Sequence, residues 1–143
     1  MENFIIRECS EKEGDFIVDK IVQYNSSQLF IKESTPIIWI NRVIEDPKGD
    51  IIGGILCKIY CGSSMYIDVL WIKEEYRKEG LGSKLLKEAE DIGKEKGCHL
   101  IHLDTFDFQA KDFYLKYGYE VFGTLDNCPK NNHKRYFMKK EIR

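Results

Sequence analysis

The spacing of apolar residues along the chain changes repeatedly, and each change predicts a new element. Phe4-Ile5-Ile6 reads as a short first strand. Phe16, Ile17, Lys20, Ile21 and Tyr24 then recur at helical spacing, with Ile17, Ile21 and Tyr24 on one face. Pro36 admits an extended run, Ile37 to Ile44, which Asp46-Pro47-Lys48-Gly49 turns back as a hairpin. From Asp50 to Tyr60 a period of two puts Ile55, Cys57, Ile59 and Cys61 on one face. MYIDVLWI, residues 65–72, is apolar throughout except for Asp68, which predicts a central strand covered on both faces. Beyond Gly82 the spacing returns to a helix: Leu81, Leu85, Leu86, Ala89, Ile92 and Gly93 form one stripe, while Lys84, Lys87, Glu88, Asp91 and Lys94 face away and Gly97 stops it. A strand at His99–Thr105, a helix at Gln109–Tyr117 ended by Gly118, and strands at Tyr119–Leu125 and Lys134–Ile142 complete the order. Strands alternating with helices predict a mixed α/β sheet. With no repeat, low-complexity tract or linker, residues 1–143 are expected to form a single domain.

Composition narrows the functional classes. At 143 residues one core suffices without a disulfide framework or structural metal. The 22 basic and 24 acidic side chains leave a formal net charge of -2, so no global field draws the chain to nucleic acid or an anionic membrane, and any anion site must be local. The five cysteines are Cys9, Cys57, Cys61, Cys98 and Cys128. Their odd number and the acids near the N-terminus predict a reducing, cytoplasmic location. No window has the roughly 18 apolar residues of a spanning helix.

The stretch that carries chemistry is Tyr76-Arg77-Lys78-Glu79-Gly80-Leu81-Gly82-Ser83-Lys84, between the apolar strand and the amphipathic helix. A helix N-terminus offers unpaired N–H groups and about half a positive charge, which attracts phosphate. Glycines at alternate positions let a ligand approach the backbone, and Arg77, Lys78 and Lys84 add positive charge. Two familiar phosphate motifs fail here. GxGxxG needs glycine where Leu85 stands, and GxxxxGK[ST] fails because Ser83 follows Gly82. What remains is R-x-x-G-x-G between a strand and a helix.

IDVLWIKEEYRKEGLGSKLLKEAE resembles the acyl-CoA-binding core of the GNAT N-acetyltransferase superfamily. AKDFYLKYGYEVFG, residues 110–123, resembles that superfamily's later A-x-x-[LF]-Y-x-K-x-G-[FY] signature, in matching order and spacing. The resemblance implies a single-domain α/β fold with a mixed, mostly antiparallel central sheet of about six or seven strands flanked by about four helices. It implies acetyl-CoA as co-substrate. The backbone of Arg77, Lys78, Glu79, Gly80, Leu81, Gly82 and Ser83 would cradle the pyrophosphate. The strand edge at Leu70, Trp71 and Ile72 would pair with the pantetheine arm, opened by splaying from the strand that ends near Thr105. Many relatives have asparagine three residues before the alanine matching Ala110, where this chain has Asp107.

Acetyl transfer to an amine requires the neutral amine, yet an amine of pKa about 10.4 is neutral in only roughly one molecule in 2,500 at pH 7. Asp68 stands where some family members carry a basic glutamate; its alternatives are a solvent-facing or lysine-paired aspartate, with water as the base. Tyr114 matches the family's tyrosine that protonates the coenzyme A sulfur, with core packing as the alternative. Asp68, Asp104 and Asp107 point to a cationic acceptor. A small-molecule amine is expected ahead of a protein lysine, with no nucleic-acid or membrane partner and a homodimer as in relatives. A GNAT-like acyl-CoA sensor or partner module without catalysis is the rival. No metal is expected, since Cys57 and Cys61 alternate with Ile55 and Ile59 and no CxxC pair exists. His99 and His102 lie in an apolar strand and read as structural, not as partners of a nucleophilic cysteine.

Overall fold

The computed structural model describes residues 3–29 and 37–142. The chain divides into two compact bodies, Met1–Thr35 and Pro36–Arg143. The first contains helix α1, Glu11–Leu29, where helical apolar spacing is expected. Its start is a capping box: the Glu13 amide donates to Ser10 Oγ (3.2 Å) and the Ser10 amide donates to Glu13 Oε1 (3.0 Å). Residues 3–10 belong to no strand. The strand expected at Phe4–Ile6 is therefore not formed, because a strand exists only through a ladder and none includes this segment. Pro36 lies outside the described residues.

The second body is a six-stranded sheet in the order β1-β2-β3-β4-β6-β5, with β1 Ile38–Glu45, β2 Ile51–Tyr60, β3 Ser64–Ile72, β4 Leu100–Phe106, β5 Glu120–Asp126 and β6 Lys134–Glu141. Every pairing is antiparallel except β3 with β4. The expected hairpin joins β1 to β2, its turn held by Asp46 Oδ1, which accepts from the amides of Lys48 and Asp50 (both 2.9 Å). Helices α2, Leu81–Glu95, and α3, Lys111–Lys116, bring the total to three among the described residues, one short of expectation. The α2 stripe Leu85, Leu86, Ala89 and Gly93 is buried, and the core it covers includes Ile55, Cys57, Ile59, Met65, Ile67, Ile101, Leu103 and Met138. Cys61, expected on the face of Ile55–Ile59, instead lies in the following turn with φ +52° and is exposed.

The position of the functional site is set by β3. Its register against β2 passes from Cys57↔Ile67 to Leu56↔Val69, so Asp68 is an extra, bulged residue. The inward set accordingly changes parity, from Met65 and Ile67 to Leu70 and Ile72. Val69 and Trp71 are exposed, so the strand is not covered on both faces as its all-apolar sequence suggested. The parallel ladder to β4 runs from Ser64↔Leu100 only to Ile67↔Leu103. Past the bulge, β3 stays with β2 as far as Ile72↔Gly53, while β4 stays with β6 as far as Phe106↔Arg135. The sheet forks there.

Candidate active site

The fork opens a cleft of about 780 Å³, in the range of small-molecule sites. One wall is β3 from Ile67 to Ile72, the other the end of β4 with α3, and the floor at one end is the start of α2. Ten of the twelve residues expected in the site from sequence come together along one side: Asp68, Leu70, Trp71, Ile72, Arg77, Lys78, Gly80, Leu81, Gly82 and Ser83 all line the cleft. Tyr114 lines it from the opposite wall. Glu79 does not, nor does Lys84, whose charge was expected nearby. The loop turns Glu79 away by adopting left-handed backbone on both sides of it, at Lys78 (φ +71°) and Gly80 (φ +80°).

Gly80 is the N-cap of α2, and no side chain caps this helix. Ser83 Oγ donates to the Gly80 carbonyl (2.9 Å) and so does not cap the amides. The first intrahelical amide bond is Lys84 N–H to Gly80 O (3.1 Å), which leaves the amides of Leu81, Gly82 and Ser83 without an intrahelical acceptor. The loop before them is tied to β3, where Arg77 Nε donates to Ile72 O (2.9 Å). The tie leaves the outer guanidinium nitrogens of a cleft-lining arginine available as donors. These donors and the positive end of the α2 dipole suit an anionic ligand.

Tyr114, at 5% exposure, has its ring in the core yet lines the cleft, and its hydroxyl, which makes no hydrogen bond among the described residues, is not shut off from solvent. Burial pushes its phenol well above the usual value, with the neighbouring Cys57 thiol adding to the effect. The group therefore holds its proton throughout the neutral range and can donate it to an atom placed in the cleft. Cys57, fully buried in the sheet, is itself pushed up to about 12 by burial, so it is a thiol and no nucleophile. Among the described residues no three His, Cys, Asp or Glu side chains cluster as a metal site would.

The three acids expected around the acceptor differ in fate. Asp68 lines the cleft and has neither a hydrogen bond nor an ion pair among the described residues. Asp104 also lines it, but its carboxylate is taken by Arg135 (Nη 2.8 Å, Nε 3.0 Å) and by the Tyr66 hydroxyl (2.8 Å). Burial and this carboxylate push the Tyr66 phenol up to about 12. Asp107 lies outside the cleft and accepts from His133 Nδ1 (3.2 Å). Its partial burial would raise its pKa, but His133 and backbone donors outweigh that and lower it. His102 hydrogen-bonds Tyr60, and burial lowers its pKa, which fits a structural role. The sequence reasoning missed Thr105, Phe108, Gln109, Phe113, Lys116 and Tyr117 on the far wall. For Phe113, Lys116 and Tyr117 the signal was the late motif itself, which surrounds Tyr114; Thr105, Phe108 and Gln109 precede that motif and carried no signal of their own.

The geometry agrees with the comparisons. The family model "Acetyltransferase (GNAT) family" matches residues 5–119. The chain belongs to the GNAT acetyltransferase family. A solved acetyltransferase from Bacillus cereus is similar to this acetyltransferase at 38% identity and TM-score 0.87, covering 97% of this chain and 98% of that one. The blasticidin-S acetyltransferase of Streptomyces morookaense is 32% identical over 83 residues, which are 57% of this chain and 60% of that enzyme. The match thus spans about three-fifths of that relative's length. An aminoglycoside 6'-N-acetyltransferase solved with coenzyme A shares the fold at TM-score 0.65 and 17% identity, covering 94% of this chain and 93% of that one. No helix among the described residues is long and apolar enough to cross a membrane.

Proposed function

We propose that this GNAT acetyltransferase moves an acetyl group directly from acetyl-CoA to a primary amine of a small cationic molecule in the cytoplasm. One observation carries the reading: a buried tyrosine with an unpartnered hydroxyl faces, across a forked sheet, an unpaired strand edge that leads to an uncapped helix N-terminus. The amides of Leu81, Gly82 and Ser83, with Arg77 and Lys78, would take the pyrophosphate. Leu70, Trp71 and Ile72 would pair with the pantetheine arm, as a peptide adds to a sheet edge. Lys116 offers a further cation on the far wall.

The chemistry balances on two residues. The amine nitrogen bonds to the thioester carbonyl carbon and the C–S bond breaks. Asp68 accepts the amine proton, directly or through water, and Tyr114 gives its proton to the departing sulfur. The Tyr114 phenol is protonated across neutral pH, so its proton is there to give when the sulfur departs as thiolate. Asp68 also supports a cationic acceptor, because Asp104 is already neutralised by Arg135. The blasticidin-S relative favours a small molecule over a protein lysine.

Thiol release from acetyl-CoA against a panel of amines, including blasticidin S, an aminoglycoside, a polyamine and a lysine peptide, tests the reading. Release with a small amine, cut about 10²–10⁴-fold in kcat by Tyr114→Phe with the melting temperature unchanged, is the expected outcome. Wild-type turnover in Tyr114→Phe removes its role, and binding of acetyl-CoA with no release for any amine leaves a coenzyme-binding module. Light scattering checks the accompanying proposal of a homodimer.

A further inference from the structure

A second group of polar side chains lies behind Tyr114, away from the cleft, and the chemistry above does not use it. Glu90 of α2 keeps only 14% of its side chain exposed and accepts from Lys140 Nζ (2.9 Å) and from the Tyr119 hydroxyl (2.9 Å). Tyr119, at 2% exposure, sets its ring edge-on to that of Tyr114, centroids 5.6 Å apart at 67°. Phe113 also meets Tyr114 edge-on, at 5.2 Å and 78°. The Tyr114 ring thus has two aromatic partners.

The contact with Tyr119 follows from how α3 ends. Gly118, at φ +91°, closes the helix: its amide donates to Leu115 O (3.2 Å) and the Tyr119 amide donates to Tyr114 O (3.0 Å). That is the Schellman arrangement, whose geometry brings the residue after the left-handed glycine onto the one five positions before it. Tyr119 is thus attached to Tyr114 twice, by backbone and by ring. The late motif accepts either Phe or Tyr here, and Phe would pack without a buried carboxylate. A buried ion pair seldom repays its desolvation in stability, so a gain in folding energy does not account for Glu90 and Lys140. What the hydroxyl adds is direction: Tyr119 is fixed at its far end to α2 and β6 and cannot slide along the ring it supports.

Resting on the reading of Tyr114 as the acid, we propose that Tyr119 is a positioning residue that, anchored by Glu90 and Lys140, holds the Tyr114 ring at the angle needed to protonate the sulfur. The measurement is thiol release from acetyl-CoA with the most reactive amine of the panel. Tyr119→Phe keeps the ring and loses the anchor, and should lower kcat on the order of tenfold while KM for acetyl-CoA stays within about twofold. Glu90→Ala should act alike and Glu90→Gln should recover most of the loss, since the amide oxygen still accepts from Tyr119. In a Tyr114→Phe background, Tyr119→Phe should have no further effect on kcat. Equal losses in both backgrounds overturn the positioning role while leaving Tyr114 as the acid. A rise in KM with kcat unchanged also overturns it. Full turnover in Tyr114→Phe alone removes the acid reading and the positioning role with it.

Discussion

Two helices of this chain begin in opposite ways. At α1 a capping box closes the first turn, and Glu11 and Glu13 place negative charge on the positive end of the dipole. At α2 the N-cap is a glycine, no side chain reaches the free amides, and no acid stands in the first turn. The cations Arg77 and Lys78 lie beside it instead, facing the same cleft. A helix start that only has to be stable satisfies its own donors. One that keeps them unsatisfied, with positive charge added, is poised for an anion from outside.

The largest expected effect breaks the symmetry between the two helix starts. Acetyl-CoA at 1,000 times its Kd should add about 4.1 kcal/mol of stability. Amide hydrogen exchange should slow at Leu81–Ser83 and stay unchanged at the start of α1. Equal protection at both helix starts, or no thermal shift at millimolar ligand, would contradict the contrast. Next in size, Gly80→Ala forces a side chain into left-handed backbone and should cost about 1–2 kcal/mol, with weaker acetyl-CoA binding in isothermal titration. Ser10→Ala should cost about 1 kcal/mol of α1 stability, seen by circular dichroism, and leave acetyl-CoA affinity untouched. The smallest effect is acid dependence at the α1 cap. Arg7, followed by Ser10, holds the Glu13 carboxyl down to about 2, so this contribution is present above about pH 4.5 and disappears as pH falls toward 2. No such loss should be traced to the start of α2.

Much of this was legible in the sequence because it rests on local rules. The α2 stripe, the Asp46 turn and the glycine stops at Gly97 and Gly118 are written within a few residues of where they act, and they set the order of elements along the chain and the place of the phosphate loop between a strand and a helix. Tyr114 and the loop were legible through two short motifs. What escaped depends on partners far along the chain. An all-apolar strand has no alternation to lose, so the bulge at Asp68 is visible only in its register with β2. The neutralisation of Asp104 needs Arg135 from β6, and the anchoring of Tyr119 needs Glu90 from α2 and Lys140 from β6. Glu79 was counted with its neighbours because spacing does not reveal a loop whose backbone turns left-handed at Lys78 and again at Gly80. The expected strand at Phe4–Ile6 had apolar residues but no ladder to join.

The fork between β3 and β4 acts as a window in a wall. Its frame takes residues from both faces of the sheet: Thr105 and Tyr114 from the side of the core, Asp104 from the other. On the proposed function, acetyl-CoA and the amine would reach one reacting point from opposite faces, and neither would have to vacate its route for the other. Such traffic leaves a kinetic signature. Initial-rate plots for acetyl-CoA and the amine should intersect instead of running parallel, and coenzyme A should compete with acetyl-CoA alone.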